Sequence, residues 1–188
     1  MSESHLVVIG GRSGVGKSTV AFTLHELLAA KDVKHAVIEG DALDMAHPAL
    51  WKHRMAERNL AAMWANYRTL GYRRLIYTNT VSVLESDGLA QAMGDSPTIT
   101  AILLQASDET TSERLGRREQ GDTLTRHLER SARAATFLEE KASRTVHRVT
   151  TDGLTPAEIA TQILSLLSWT DDFSEPSINQ VDRSSAAQ

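Results

Sequence analysis

Near the start of the chain, residues 6–19 read LVVIGGRSGVGKST. From Gly11 onward this stretch fits the pattern G-x-x-x-x-G-K-[ST], a loop whose backbone N–H groups converge on phosphate oxygens. In such a loop a lysine ammonium reaches the outer phosphates and a hydroxyl reaches Mg²⁺. The four apolar residues before the loop predict a strand, and the apolar spacing over residues 20–28 predicts a helix. This order of strand, loop and helix predicts a site for a nucleoside triphosphate.

The glycines of the loop let the backbone bend tightly and approach a ligand closely, and the helix start adds partial positive charge near the phosphates. Lys17 is the expected catalytic cation, and Ser18 is the expected protein ligand of Mg²⁺. The residues predicted to contact the nucleotide in this loop are Gly11, Ser13, Gly14, Val15, Gly16, Lys17, Ser18 and Thr19.

Length and composition favour one compact domain. The chain has 188 residues, 41% of them hydrophobic and 23% charged, which predicts a single domain over residues 1–170. Residues 171–188 are polar and aperiodic, which predicts a mobile tail. The absence of cysteine excludes thiolate catalysis, and the net charge of −4 argues against general nucleic-acid binding. No stretch approaches the roughly 20 apolar residues of a membrane span and no leader pattern is present, so we expect a cytoplasmic protein that binds no membrane.

Apolar runs alternate with helical patterns along the chain, which is typical of a parallel sheet. Five runs predict strands, at residues 6–9, 35–39, 74–78, 98–104 and 146–149. The fold class is therefore α/β, a three-layer fold of the P-loop NTPase type with a five-stranded parallel sheet, helices on both faces and a short lid. Helix ends are indicated by the capping-box pairs Ser82/Glu85 and Thr155/Glu158, by Pro48 and Pro156 as first helical residues, and by Gly71 and Gly94 as stops.

A second set of polar residues follows the fourth predicted strand, where residues 107–122 read SDETTSERLGRREQGD. Arg114 and Arg118 are one helical turn apart and share a face. A planar guanidinium can stack on a base or hold a phosphate with two hydrogen bonds, and the carboxyl ends of the strands face the ligand crevice. Gly121 lies in the turn where a lid could hinge.

At these residues the chain resembles the small P-loop kinases, the group that includes gluconate kinase, adenylylsulfate kinase, shikimate kinase and adenylate kinase. The resemblance covers about residues 6–167 and rests on the phosphate loop, the Gly40-Asp41 pair, the two arginines and the turn at residues 151–155. It implies ATP and Mg²⁺ as ligands. It also implies that Arg114 lies over the adenine, that Arg118 reaches the transferring phosphoryl group, and that Asp152 and Gly153 wall the base pocket.

Asp41 is the candidate for contact with the reacting hydroxyl group. It follows the second predicted strand beside Gly40, where a side chain points into the crevice. A carboxylate there can orient an alcohol, accept its proton or hold a water of Mg²⁺. After the third strand the sequence offers only amide and hydroxyl groups, at residues 78–80, so Mg²⁺ would depend on Ser18, waters and Asp41.

The acceptor is expected to lie against a helix predicted over residues 48–70. A stripe of Ala56, Leu60, Met63, Tyr67 and Leu70 predicts its buried face. A second stripe mixes an aromatic ring, cations and an amide, which suits a polar small molecule, and Arg54 and Arg58 could pair with an acidic group on it. The acceptor-binding residues predicted here are Asp41, Trp51, Arg54, Arg58 and Asn59.

The sequence thus favours an ATP-dependent phosphotransferase, with Lys17, Asp41 and Arg118 as catalytic residues and a small molecule as its partner. The alternatives are a nucleotide-gated switch and a P-loop ATPase or binding module without small-molecule transfer. A sugar acid, a nucleoside or nucleotide, an adenylylsulfate-like compound and an antibiotic hydroxyl all stay open as acceptors. The oligomeric state is open as well, a homodimer being one option.

Overall fold

The computed structural model of the protein describes residues 3–169, and its framework is a five-stranded parallel sheet. The strands run in the order β2-β3-β1-β4-β5, and every neighbouring pair is parallel. Their bounds are β1 His5–Gly10, β2 Ala36–Glu39, β3 Arg74–Thr78, β4 Thr98–Gln105 and β5 His147–Thr150. All five predicted strands are confirmed, and so is the fold class.

Six α-helices connect and cover the strands within the described residues. They are α1 Lys17–Ala29, α2 Met55–Thr69, α3 Ser86–Met93, α4 Asp108–Gly116, α5 Gly121–Lys141 and α6 Pro156–Leu164. Short 3₁₀ turns lie at Gly40–Ala42, Trp51–His53 and Ser82–Leu84. Within residues 3–169 none of these helices has the length and apolarity needed to cross a membrane.

Each face of the sheet has its own apolar core, because alternate residues of a strand point to opposite faces. Val7 and Ile9 of β1 pack in the cluster that contains residues of α1 and α6. Leu6 and Val8 pack in the cluster that contains residues of α2 and α3. The central strand is therefore apolar at every position from 6 to 9, as a strand covered on both faces must be.

Two predicted helix starts are wrong. Residues 48–54 do not belong to α2, since Arg54 has a left-handed φ of 48° and the helix begins at Met55. Pro48 therefore lies in the preceding loop. Ser82 and Glu85 form no capping box, because the Ser82 hydroxyl donates to the carbonyl oxygen of Asn79 (3.2 Å) and α3 begins at Ser86.

Other helix signals are confirmed. Thr155 and Glu158 form the predicted capping box, with Pro156 as the first helical residue. Gly94 caps the end of α3 with a φ of 74°. Gly71, two residues beyond the end of α2, has a φ of 82°.

The buried face of α2 differs from the predicted stripe. Leu60 is fully buried, but Met63 and Leu70 are exposed, and the fully buried partner of Leu60 one turn along is Trp64. The indole N–H of Trp64 donates to Asp95 (3.2 Å). The single-domain boundary at residue 170 stays a prediction, and the predicted tail at residues 171–188 lies outside the described residues.

Candidate active site

The phosphate loop connects the end of β1 to the start of α1, and its glycines are required by its shape. Gly11 has a φ of 144°, and a Cβ atom there would lie 2.6 Å from the carbonyl oxygen of Leu104. A Cβ atom on Gly14 would lie 2.8 Å from a methyl group of Thr111. Gly16 has a φ of 94° and caps α1. Close contacts exclude side chains at Gly11 and Gly14, and the backbone angle disfavours one at Gly16, so the backbone itself forms the surface that a ligand meets.

Lys17 lies in the first turn of α1 with its ammonium folded back over the loop. Nζ donates to the carbonyl oxygens of Gly11 (2.9 Å) and Arg12 (3.3 Å). Burial lowers the pKa of Lys17, while Asp41 and Glu39 raise it. The first N–H groups of α1 have no intrahelical acceptor, as at any helix start. The loop thus offers a cation and backbone donors together, the donor set that phosphate oxygens need.

Asp41 lies in the 3₁₀ turn that follows β2, directly across the strand ends from β3. Its Oδ1 accepts a hydrogen bond of 2.8 Å from Nδ2 of Asn79. Asn79 in turn accepts from the backbone N–H of Val81 (2.9 Å), which fixes the orientation of its amide. The chain thus has Asn79 instead of an acidic residue after β3, and this asparagine positions Asp41.

The electrostatics of Asp41 come from opposing causes. Partial burial raises the pKa of this carboxyl, Lys17 lowers it, and Glu39 and Asp44 raise it. The pKa of Asp41 is raised on balance, and the amide of Asn79 donates to it. A carboxylate that combines these features is suited to orienting a hydroxyl group and to accepting its proton.

Arg114 braces the phosphate loop from α4. Its guanidinium donates to the carbonyl oxygens of Gly14 (3.4 Å) and Val15 (3.2 Å). It also donates to the hydroxyl and the carbonyl oxygen of Thr151 (2.9 and 3.1 Å). Arg114 also lines the cavity beside the loop, and its predicted position over an adenine stays a prediction.

Arg118 lies beyond the end of α4, in the segment that leads to α5, and its side chain is exposed. Arg114 and Arg118 are thus not on one continuous helix, yet both line the same cavity. Glu119 lies in the same segment between α4 and α5, which is the predicted lid, and it also lines the cavity. One of its carboxylate oxygens lies 2.6 Å from Nδ1 of His127 on α5. Gly121 begins α5 with a φ of 63°, at the position predicted for the hinge.

The cavity beside the phosphate loop, here called the loop cavity, has a volume of about 440 Å³. Leu154, Pro156 and Ile159 supply an apolar wall. The charged lining of the cavity consists of Lys17, Asp41, Arg114, Arg117, Arg118 and Glu119. Asp152 and Gly153 are not among the lining residues. The Asp152 carboxylate instead accepts from the backbone N–H of Ser107 (2.9 and 3.1 Å), and hydrogen bonds from Thr110 and Ser107 hold its pKa below the usual value.

Arg12 is a part of the site that the sequence does not reveal. It is a loop residue, 6% exposed, whose Nε donates to the hydroxyl of Ser131 on α5 (2.9 Å) and whose Nη1 pairs with Asp108 at the start of α4. The Ser131 hydroxyl donates to the carbonyl oxygen of Ser13 (2.8 Å). These contacts tie the phosphate loop to both helices that flank the lid segment, over 119 residues of sequence separation.

A second cavity, here called the strand-end cavity, lies beside Asn79 and has a volume of about 430 Å³. Its polar lining consists of Asp44, Arg54, Glu57, Tyr77, Asn79 and Glu85. Of the predicted acceptor-binding residues, Arg54 lines this cavity. Asp41 is not a lining residue, but it is hydrogen-bonded to the lining residue Asn79.

The other predicted acceptor residues are placed differently. Asn59 donates to the carbonyl oxygen of Leu43 (2.6 Å) and ties α2 to the preceding loop. Arg58 is exposed, with the sulfur of Met55 3.9 Å from Nη1. Arg54 pairs with Glu57 (2.9 Å). The backbone of Trp51 belongs to a 3₁₀ turn, and its side chain lies outside the described part of the structure.

Comparison with known proteins agrees with this geometry. A family model described as the phosphoribulokinase / uridine kinase family matches residues 6–87, which include the phosphate loop, Asp41 and Asn79. No curated protein matches the chain.

Several solved structures are similar. The tunicamycin resistance protein of Deinococcus radiodurans is 25% identical, covers 87% of this chain and 95% of its own, and has a TM-score of 0.57. A gluconokinase from Sinorhizobium meliloti is 19% identical over 88% and 92% of the two chains, with a TM-score of 0.57. The APS kinase of Mycobacterium tuberculosis, in complex with AMPPNP and APS, is 20% identical over 88% and 98%, with a TM-score of 0.56.

The chain therefore has the fold of the small P-loop kinases, which confirms at the level of the fold the resemblance that its sequence indicates. The kinase class is supported by the family model and the structures together.

Proposed function

We propose that the protein transfers the γ-phosphoryl group of ATP to a hydroxyl group of a small molecule. The observation that carries this proposal is the position of Asp41 between two cavities. Its side chain lines the loop cavity, and Asn79, to which it is hydrogen-bonded, lines the strand-end cavity. A nucleotide in the first cavity and an acceptor in the second would meet at this carboxylate.

In the proposed step the acceptor oxygen forms a bond to the γ-phosphorus, and the bond from that phosphorus to the oxygen bridging the β-phosphate breaks. ADP leaves with the electron pair of the broken bond, and the hydroxyl proton passes to Asp41. Lys17 neutralises charge on the outer phosphates, since its ammonium already lies over the loop. Arg118, exposed on the lid segment, would contact the transferring group.

Mg²⁺ fits the donor set beside the loop. Ser18 is exposed in the first turn of α1 and lines the loop cavity next to Lys17. Its hydroxyl would hold the ion together with phosphate oxygens and water, and the ion would neutralise phosphate charge. Because Asn79 follows β3 where a carboxylate could have bound Mg²⁺, Asp41 is the acid proposed to hold a water of the ion. A cytoplasmic location and a homodimer stay predictions beside this proposal.

The test is ADP release in a screen of small-molecule acceptors, with product identity from mass spectrometry. Asp41→Asn keeps the shape of the side chain and removes its charge, so phosphorylation should fall roughly a hundredfold or more while ATP affinity, measured by calorimetry, is retained. Asp32→Asn is the matched control, because Asp32 is exposed, lies beyond α1, and has a φ of 55° that asparagine tolerates.

Two outcomes would contradict the proposal. Transfer by Asp41→Asn at the wild-type rate would show that Asp41 is a turn residue. ADP release that never depends on an added acceptor would instead favour an ATPase or switch. Nucleotide binding without any ADP release would favour the binding module, the alternative supported by the missing acid after β3.

A further inference from the structure

The charges around the strand-end cavity are unbalanced. Asp44, Glu57 and Glu85 contribute three carboxylates, against the single guanidinium of Arg54. That guanidinium is already paired with Glu57 at 2.9 Å. The cavity therefore presents net negative charge to anything that enters it.

These carboxylates influence one another electrostatically. Partial burial raises the pKa of Glu85, and the nearby charges of Glu57 and Asp44 raise it further. A further negative charge in the cavity would add to this repulsion, whereas hydroxyl or ammonium groups would donate hydrogen bonds to the carboxylates.

Tyr77 provides an independent sign that the cavity is built for a polar ligand. Its side chain on β3 is 1% exposed and lines the cavity. Burial raises the pKa of Tyr77, and the carboxylates of Glu85, Asp41 and Asp44 raise it further, so the hydroxyl keeps its proton as a donor. A phenolic hydroxyl in the cavity wall can donate a hydrogen bond to a polar ligand and accept one from it.

Gly40 makes room for this hydroxyl. A Cβ atom at residue 40 would lie 2.2 Å from the Tyr77 oxygen, so any other residue would displace the ring. The Gly40-Asp41 pair therefore positions two groups at once, the Tyr77 hydroxyl on one side and the Asp41 carboxylate on the other.

A metal site is a weaker explanation of the acidic lining. Within the described residues, no three His, Cys, Asp or Glu side chains are close enough to hold a metal ion. The carboxylates are spread around the cavity, an arrangement that suits a molecule with several separated donors better than a single cation.

We propose that the strand-end cavity binds the phosphate acceptor and selects a hydroxyl-rich molecule without negative charge, either neutral or carrying an amine. The Tyr77 hydroxyl and the carboxylates of Asp44 and Glu85 bind its polar groups, and one hydroxyl reaches Asp41. This inference rests on the proposed function. It replaces the expectation that Arg54 and Arg58 bind an acidic group.

The experiment uses the full chain with Mg-ATP and a library of hydroxylated compounds in matched triads. Each triad contains a neutral polyol or nucleoside, its amine analogue and its carboxylic acid analogue, and ADP release and product mass are measured at pH 7.5. We expect the phosphorylated compounds to be neutral or aminated, with the acid of the same triad at least roughly tenfold poorer in kcat/KM. Phosphorylation confined to the acids would overturn this inference and leave the kinase proposal intact. Absence of transfer to every compound would count against both.

Substitutions of lining residues test whether the preference for uncharged or aminated acceptors originates in the strand-end cavity. Tyr77→Phe keeps the packed ring and removes the hydroxyl, and Glu85→Gln removes one charge. Each should raise KM for the best acceptor by roughly tenfold with kcat nearly unchanged, as loss of a binding contact does. Glu85→Lys should narrow the gap between the neutral compound and its acid. Glu109→Gln, exposed on α4, is the matched control.

A thermal melt with Mg-ATP shows whether each variant is folded. Folded variants with wild-type KM values and wild-type charge preference would overturn the assignment of the cavity.

Discussion

Asn79 at the end of β3 donates a 2.8 Å hydrogen bond to Asp41, which lies beyond the end of the neighbouring strand β2. Its amide orientation is fixed by the bond from the Val81 N–H to Asn79 Oδ1. The donor side of the amide therefore faces the carboxylate, an arrangement that favours the ionised form of Asp41.

Asn79→Asp should shift the pH dependence of transfer. The substitution replaces a donor with a second carboxylate at hydrogen-bond distance from Asp41, and two such groups cannot both ionise freely. The acidic limb of kcat/KM should therefore move to higher pH than in the wild type. The pH profile with the best acceptor from the screen measures this, and Asn66→Asp, exposed on α2, is the control. An unchanged profile would mean that Asp41 does not titrate in the reaction.

Lys17→Ala should remove most of the stabilisation by Mg-ATP. A ligand that binds only the folded state at a hundred times its Kd stabilises it by about 2.7 kcal/mol. Because the Lys17 ammonium lies over the loop at 2.9 Å from the Gly11 carbonyl oxygen, its removal should weaken phosphate binding. The rise in melting temperature with Mg-ATP measures this. Lys31→Ala, exposed just beyond α1, should respond as the wild type does. Equal shifts in all three proteins would refute the phosphate site.

The sequence predicts the parts of this site that depend on local pattern. The phosphate loop, the five strands and the position of Asp41 after β2 follow from residue type and spacing along one segment. The strand-end cavity could not be predicted in this way. Its Tyr77 and Asn79 are brought beside Gly40 and Asp41 by the β2/β3 register, a pairing between distant segments.

The predicted acceptor residues Trp51 and Arg54 lie before α2 and not on it, for a local reason. Residues 48–54 carry a helical pattern but precede the helix, because the backbone turns into the left-handed region at Arg54. Arg54 therefore caps the start of α2 and pairs with Glu57 three residues later. Its charge is used within the protein, a property that spacing alone does not reveal.

Arg114→Ala should destabilise the protein even without nucleotide. Its guanidinium holds two loop carbonyl groups and Thr151, partly buried, and loss of hydrogen bonds from a charged group costs about 2 kcal/mol. Arg118→Ala should leave the free energy of unfolding nearly unchanged, since that side chain is exposed, and should lower kcat instead. Urea unfolding without ligand measures the first effect. Arg117→Ala, which breaks only an exposed pair with Glu113, should cost less than about 0.5 kcal/mol. Equal unfolding free energies for the Arg114 and Arg117 variants would contradict the bracing role.

His35 should make the folded state sensitive to mild acid. Its Nδ1 lies 2.6 Å from the Val33 carbonyl oxygen and therefore carries the proton, so Nε2 accepts from Nδ1 of His25 at 2.9 Å. Burial lowers the pKa of His35, and His25 and Arg74 lower it further, against the raising effect of the Val33 hydrogen bond. In the unfolded chain His35 therefore takes up a proton near pH 6.5, whereas in the folded protein it takes up that proton only at lower pH.

The contribution of neutral His35 to the free energy of unfolding should be fully present above about pH 6.5. It should decrease as the pH falls below that value, by at most about 1.4 kcal/mol per pH unit. Urea unfolding at pH 7.5, 6.5 and 5.5 measures this decline. His35→Asn keeps a donor for the Val33 carbonyl but does not titrate, so its unfolding free energy should depend less on pH. His53→Asn, at an exposed position, should retain the wild-type dependence. If the His35 variant loses stability with falling pH as steeply as the wild type, the acid sensitivity originates in other groups.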